Sequence, residues 1–199
     1  MKYIYEEMTK KVFVNIKDVG KTYFSSCDNC ENNCCSAPMV VFAPLVLDDF
    51  QYVYKNFPIQ FAYINKELKA LMLINKGEGS CKYYKDNKCQ IYEERPPACK
   101  MFPISPFLND FYISSKCQAL SSDASKGKLI CDEKSVNDDF LHPRVNNFVE
   151  KLENTTKFLD TIKDDLVKSI KVSGTQLYNY DGQSDNLYID MYKNSLVHL

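Results

Sequence analysis

Nine cysteines constrain this chain more than any other feature. Cys27, Cys30, Cys34 and Cys35 stand in the order C-x2-C-x3-C-C. Cys81, Cys89 and Cys99 follow as C-x7-C-x9-C, and then come Cys117 and an isolated Cys131. Thiolates crowded in this way are soft metal ligands, so the chain is expected to fold around a metal site. Disulfides are the competing use. The segment Met1 to Val14 is interrupted by Glu6, Glu7, Lys10 and Lys11 and lacks the apolar run of an export signal, so a reducing, cytoplasmic location is expected. An odd number of cysteines would in any case leave one unpaired.

Two cysteines separated by two residues can wrap one metal with backbone amides turned toward the sulfurs, which makes Cys27 and Cys30 candidate co-ligands. Neighbouring side chains diverge, so of Cys34 and Cys35 one can bind while the other packs, supports a second centre or exchanges. A tetrahedral zinc or one four-iron cluster takes four thiolates. The candidates Cys27, Cys30, Cys34, Cys35, Cys81, Cys89, Cys99 and Cys117 exceed that number, so either two centres form or some thiols support the site without ligating. His142 and His198 lie outside any ligand-like spacing. The sequence has no glycine-rich phosphate loop, no nucleophilic serine with partners and no His-x-Glu arrangement, which removes the anchors of hydrolase and deaminase chemistry.

At 199 residues, with 45% apolar and 26% charged residues, the chain has the composition of a globular protein with a real core. A net charge of -1 gives no general attraction for nucleic acid or anionic lipid, so neither is an expected partner. The longest nearly apolar run, Ala37 to Leu47, is too short to span a bilayer.

Alternation around Val12, Val14 and Ile16 predicts a short half-buried strand, and Ala37 to Leu47 an extended buried segment. Asp48 or Asp49 is placed to cap a helix carrying Phe50, Val53, Tyr54 and Phe57, ended by Pro58. Phe61 to Asn75 fits a helix or a strand equally. Asp86 and Asn87 tolerate left-handed conformations and predict a hairpin that draws Cys81 and Cys89 together. Pro96 or Pro97 opens a short helix running into Cys99, and a second hairpin is expected around Leu108-Asn109-Asp110. From Pro143 to about Val172, apolar residues at Val145, Phe148, Val149, Leu152, Leu159, Ile162, Leu166 and Ile170 predict one long amphipathic helix ended at Gly174, with Thr175 to Leu199 as a tail.

The two cysteine blocks, read with Asn87, Ile91-Tyr92, Arg95-Pro96 and Phe102-Pro103, resemble the YkgJ family of cysteine-cluster proteins, described as zinc- or iron-chelating. The stretch Cys89 to Pro103 is the more specific half. The family's first block is usually C-x2-C-x2-C-C, whereas Glu31-Asn32-Asn33 here adds one residue; Cys117 matches a later family cysteine, and Cys131 matches none. The resemblance runs from Cys27 to Gly127 and implies a zinc ion or an iron-sulfur cluster, with a four-iron cluster expected if the metal is iron. The family includes a group of flagellin lysine N-methylases with longer chains, so an iron-sulfur enzyme such as a protein lysine N-methylase or redox protein is the alternative it implies.

Arg95 is placed either to hydrogen-bond a sulfur or a backbone carbonyl and neutralise the site, or to pair with Glu93 or Glu94 at a helix end. Tyr92 is expected to be a core aromatic and Cys131 a plain buried cysteine. The expected architecture is α+β: a cysteine-cluster metal-binding domain over residues 1–130, with short strands and loops, and a C-terminal helix and tail over 131–199 packed on it. The expected partners are a metal ion or cluster and a protein reached through the C-terminal helix.

Overall fold

The computed structural model describes residues 13–26, 35, 41–107, 110–140 and 143–199. In chain order the strands and helices are β1 Phe13–Asn15, β2 Thr22–Phe24, β3 Phe42–Leu45, α1 Phe50–Val53, β4 Ile59–Ile64, β5 Glu67–Leu73, β6 Tyr84–Lys85, β7 Lys88–Cys89, α2 Pro97–Lys100, β8 Ile104–Phe107, β9 Asp110–Ser114, β10 Leu120–Ser121, β11 Lys128–Cys131, α3 Phe148–Ile162, β12 Leu166–Val172, β13 Thr175–Tyr180 and α4 Leu187–Ser195. Helices and strands are mixed, so the fold is α+β. Contacts divide the chain into two units, one from the described parts of Met1–Cys34 and Tyr83–Asn146, the other from those of Cys35–Lys82 and Asn147–Leu199.

The first unit holds two three-stranded sheets, β1-β9-β8 and β10-β2-β11, and the two-stranded β6-β7 ribbon. Its core is aliphatic, formed by Ile16, Ile104, Ile113, Ile130, Cys131 and Val136. Phe24 packs edge-on against Phe140 at its margin, ring centroids 5.9 Å apart. Gly127 is required here by close approach: a Cβ would run into the backbone carbonyl of Phe24, where β2 meets β11.

The second unit is a five-stranded antiparallel sheet, β12-β13-β4-β5-β3. Phe61 to Asn75, equally compatible with helix and strand in sequence, is most of the β4-β5 hairpin, closed by Asn65 and Lys66 at φ 51° and 71°. Two successive positive φ values match the right-handed twist of the flanking strands. One sheet face is covered by aromatics: Phe61 packs on Tyr192 (4.9 Å between centroids), and Phe50 and Phe158 both meet Tyr188. The other face buries Val41, Ala62, Leu71, Leu73, Val172 and Leu177.

Hydroxyl groups serve the backbone donors that the ladders leave over. Thr155 Oγ1 accepts from Leu47 N–H (3.0 Å), Ser195 Oγ from Ile59 N–H (2.9 Å) and Tyr192 Oη from Tyr180 N–H (3.0 Å). Asp49 turns its carboxylate back to Val46 N–H (2.9 Å) and makes no cap bond to α1, so its bond lies one turn earlier than expected.

The long helix expected to reach Val172 ends at Ile162. Leu166 to Val172 is instead the strand β12, because pairing with β13 through the Ser173-Gly174 turn (φ 46° and 81°) outweighs a periodicity that suits either structure. The expected tail is likewise ordered as β13 and α4, with Tyr192 and Ser195 fully buried. Among the described residues, no helix is long and apolar enough to cross a membrane.

Candidate metal centre

One cysteine of each block, Cys35 and Cys81, lies in the second unit. Cys81 N–H donates to the backbone carbonyl of Cys35 across 2.6 Å, with Cys81 buried and Cys35 half-buried. The approach to Cys81 is set by Asn75, whose Oδ1 accepts from Gly77 N–H (2.9 Å), and by Gly77 and Gly79, which take φ of 90° and 68°. Such angles favour glycine over any residue with a Cβ. Lys82 Nζ lies 3.3 Å from His198 Nδ1. Burial pushes the Lys82 ammonium below its usual range, and the neighbouring Cys81 sulfur opposes that shift.

In the first unit, the expected turn at Asp86 and Asn87 (φ 51° and 57°) is present and joins β6 to β7, with Tyr84 paired to Cys89, but Cys81, expected to be drawn to Cys89 by this hairpin, lies outside the paired residues. Gln90 locks its exit, donating through its backbone N–H to Tyr83 (2.8 Å) and through its side-chain amide to the Lys85 carbonyl (3.3 Å). Cys99 sits in α2, which starts at Pro97 after the extended Pro96; Cys99 N–H reaches back to the Pro96 carbonyl (2.8 Å). A cis Phe102-Pro103 bond follows. Cys117 closes a turn in which its N–H donates to the Ser114 carbonyl (3.2 Å). Cys89, Cys99 and Cys117 are all half-buried.

Arg95 Nε donates to the Tyr92 backbone carbonyl at 2.8 Å, the hydrogen bond that one of its two expectations included. Its guanidinium also stacks over the Tyr92 ring, 3.6 Å from the centroid. Tyr92 is therefore not a core residue. It is 40% exposed, because its ring serves as a platform for Arg95 instead of filling an apolar layer. Arg144, to which the sequence assigned no role, is only 7% exposed and directs Nη1 to the thioether of Met101 at 3.7 Å, two residues beyond Cys99. No local motif marks it; the signal is its burial.

Cys131 lies in the first unit's core, fully buried. Burial pushes its thiol up, a hydrogen bond with Thr22 pulls the other way, and Asp132 adds to the rise. Cys27, Cys30, Cys34 and His142 lie outside the described residues. Among the described residues, no group of three His, Cys, Asp or Glu side chains is placed to hold a metal ion. The available donors are sulfurs at the ends of short, turn-bounded segments. That donor chemistry fits zinc or iron and not the oxygen-seeking magnesium or calcium.

A family model named CxxCxxCC and described as a "putative zinc- or iron-chelating domain" matches residues 26–132, just over half of the chain. No curated protein and no solved structure matches it.

Proposed function

The chain belongs to the CxxCxxCC family, and from that premise we propose that it binds a zinc ion or an iron-sulfur cluster through thiolates drawn from both cysteine blocks. The proposed ligands come from Cys27, Cys30, Cys34, Cys35, Cys81, Cys89, Cys99 and Cys117. The observation that carries this reading is the 2.6 Å hydrogen bond from Cys81 to Cys35, which holds the end of one block against the start of the other.

Four thiolates around one divalent metal leave a net negative charge, so a cation nearby stabilises the site. In this proposal the buried Arg144 beside Met101 and the stacked Arg95 supply that charge. When bound, zinc would close a structural site or act as a Lewis acid, and a cluster would carry one electron. Anaerobic purification followed by metal and sulfide analysis tests the proposal. Stoichiometric zinc in a colourless protein selects the first metal, iron with sulfide in a brown one selects the second, and a folded protein that takes up neither contradicts both.

A further inference from the structure

Ser114 is fully buried, and its Oγ has no hydrogen-bond partner. The residue lies between two cysteine-bearing segments of the first unit. Its N–H donates to the Pro103 carbonyl (3.0 Å), four residues after Cys99, and its own carbonyl accepts from Cys117 N–H (3.2 Å). Both backbone groups are thus used, and only the hydroxyl is left. Along a strand, successive side chains point to opposite faces. The preceding Ile113 faces the aliphatic core, so Ser114 faces away from it, on the other side of β9. A buried hydroxyl without a partner is costly, and native folds seldom keep one.

We infer that the Ser114 hydroxyl donates a hydrogen bond to a sulfur of the bound metal centre and is a positioning residue for it. This rests on the metal-binding reading above. Metal-bound sulfur is electron-rich and accepts hydrogen bonds, and such partners orient ligands and tune the metal they surround. The hydroxyl is satisfied only when that sulfur is in place, so it favours the loaded protein over the empty one.

The test compares wild type, Ser114→Ala and Ser114→Thr, each offered zinc(II) alone or, anaerobically, iron(II) with sulfide, and then titrated with a competing chelator. Ser114→Ala is expected to bind the metal about 10- to 100-fold more weakly, and Ser114→Thr to hold it as wild type does. The thermal midpoint of chelator-stripped Ser114→Ala is expected not to fall, since the hydroxyl it removes has no partner there. A wild-type affinity in Ser114→Ala, or a loss matched by a lower midpoint of the stripped protein and not restored by threonine, overturns this assignment alone. A wild-type protein that takes up neither metal overturns the metal-binding proposal and this inference with it.

Discussion

The backbone N–H of Cys81 meets the backbone carbonyl of Cys35 across 2.6 Å, so two residues 46 positions apart in sequence stand side by side. The bond uses no side-chain atom. The backbone thus fixes where the two side chains start from.

Substitution at Cys81 separates the sulfur from the backbone. Cys81→Ser keeps the N–H and removes the soft ligand, so the hydrogen bond to Cys35 persists while metal affinity falls by at least about an order of magnitude. Cys131→Ala, in the core, leaves metal content unchanged. Metal per chain after dialysis against a weak chelator distinguishes them, and equal losses in the two variants would count against the division made here between ligand and core cysteines.

Removing a serving hydroxyl orphans a buried donor. Ser195→Ala leaves Ile59 N–H without its 2.9 Å partner, and Thr155→Val does the same to Leu47 N–H. Each is expected to cost about 1–3 kcal/mol in urea unfolding. A change well below that range would mean that water or a shifted backbone replaces the lost acceptor.

Two glycines differ in what a methyl group would meet. Gly127→Ala drives Cβ into the Phe24 carbonyl and is expected to destabilise the protein by more than about 1 kcal/mol, whereas nothing lies within 4 Å at Gly20, and Gly20→Ala is neutral or stabilising. Paired thermal melts check the contrast, and similar midpoints for the two variants would contradict the close packing of β2 on β11.

Stability should decline in alkali. Burial raises both the Cys131 thiol and the Tyr192 phenol, the latter partly offset by the Tyr180 N–H it accepts. For a raised group the contribution is fully present below its unfolded value and is lost as pH climbs through its folded value, so the decline begins near the ordinary thiol value of about 8.5 and steepens past about 10. Urea unfolding measured from pH 7 to pH 11 should show a shallower fall in Cys131→Ala than in wild type. Parallel curves would remove Cys131 from the account.

Features that depend on local chemistry were legible in the sequence. The Asp86-Asn87 turn follows from side chains that tolerate positive φ, the start of α2 at Pro96 or Pro97 from a fixed φ and a missing N–H, and the plain buried character of Cys131 from its isolation from the other cysteines. Features that depend on distant partners were not. Leu166 and Ile170 are spaced four apart, as on a helix face, and only pairing with β13 makes that segment a strand. The order of Thr175 to Leu199 rests on the sheet and on contacts such as Tyr192 with Phe61, which polar local sequence does not announce. At the site, the cysteine spacing marked the candidate ligands, but Ser114 is defined by a turn to Cys117 and a backbone bond to Pro103, and Arg144 by burial against Met101. Tyr92 stands at the surface and not in the core because its ring stacks with Arg95, a contact that apolar patterning does not mark.

The most direct measurement of the central claim is residue-resolved thiol alkylation of the metal-loaded protein before and after chelation, read by mass spectrometry. Metal-bound thiolates react slowly, so protection that appears at cysteines of both blocks, Cys27 to Cys35 and Cys81 to Cys99, and disappears with the metal is the predicted result. Protection confined to one block, or unchanged by removal of the metal, would contradict a centre built from both.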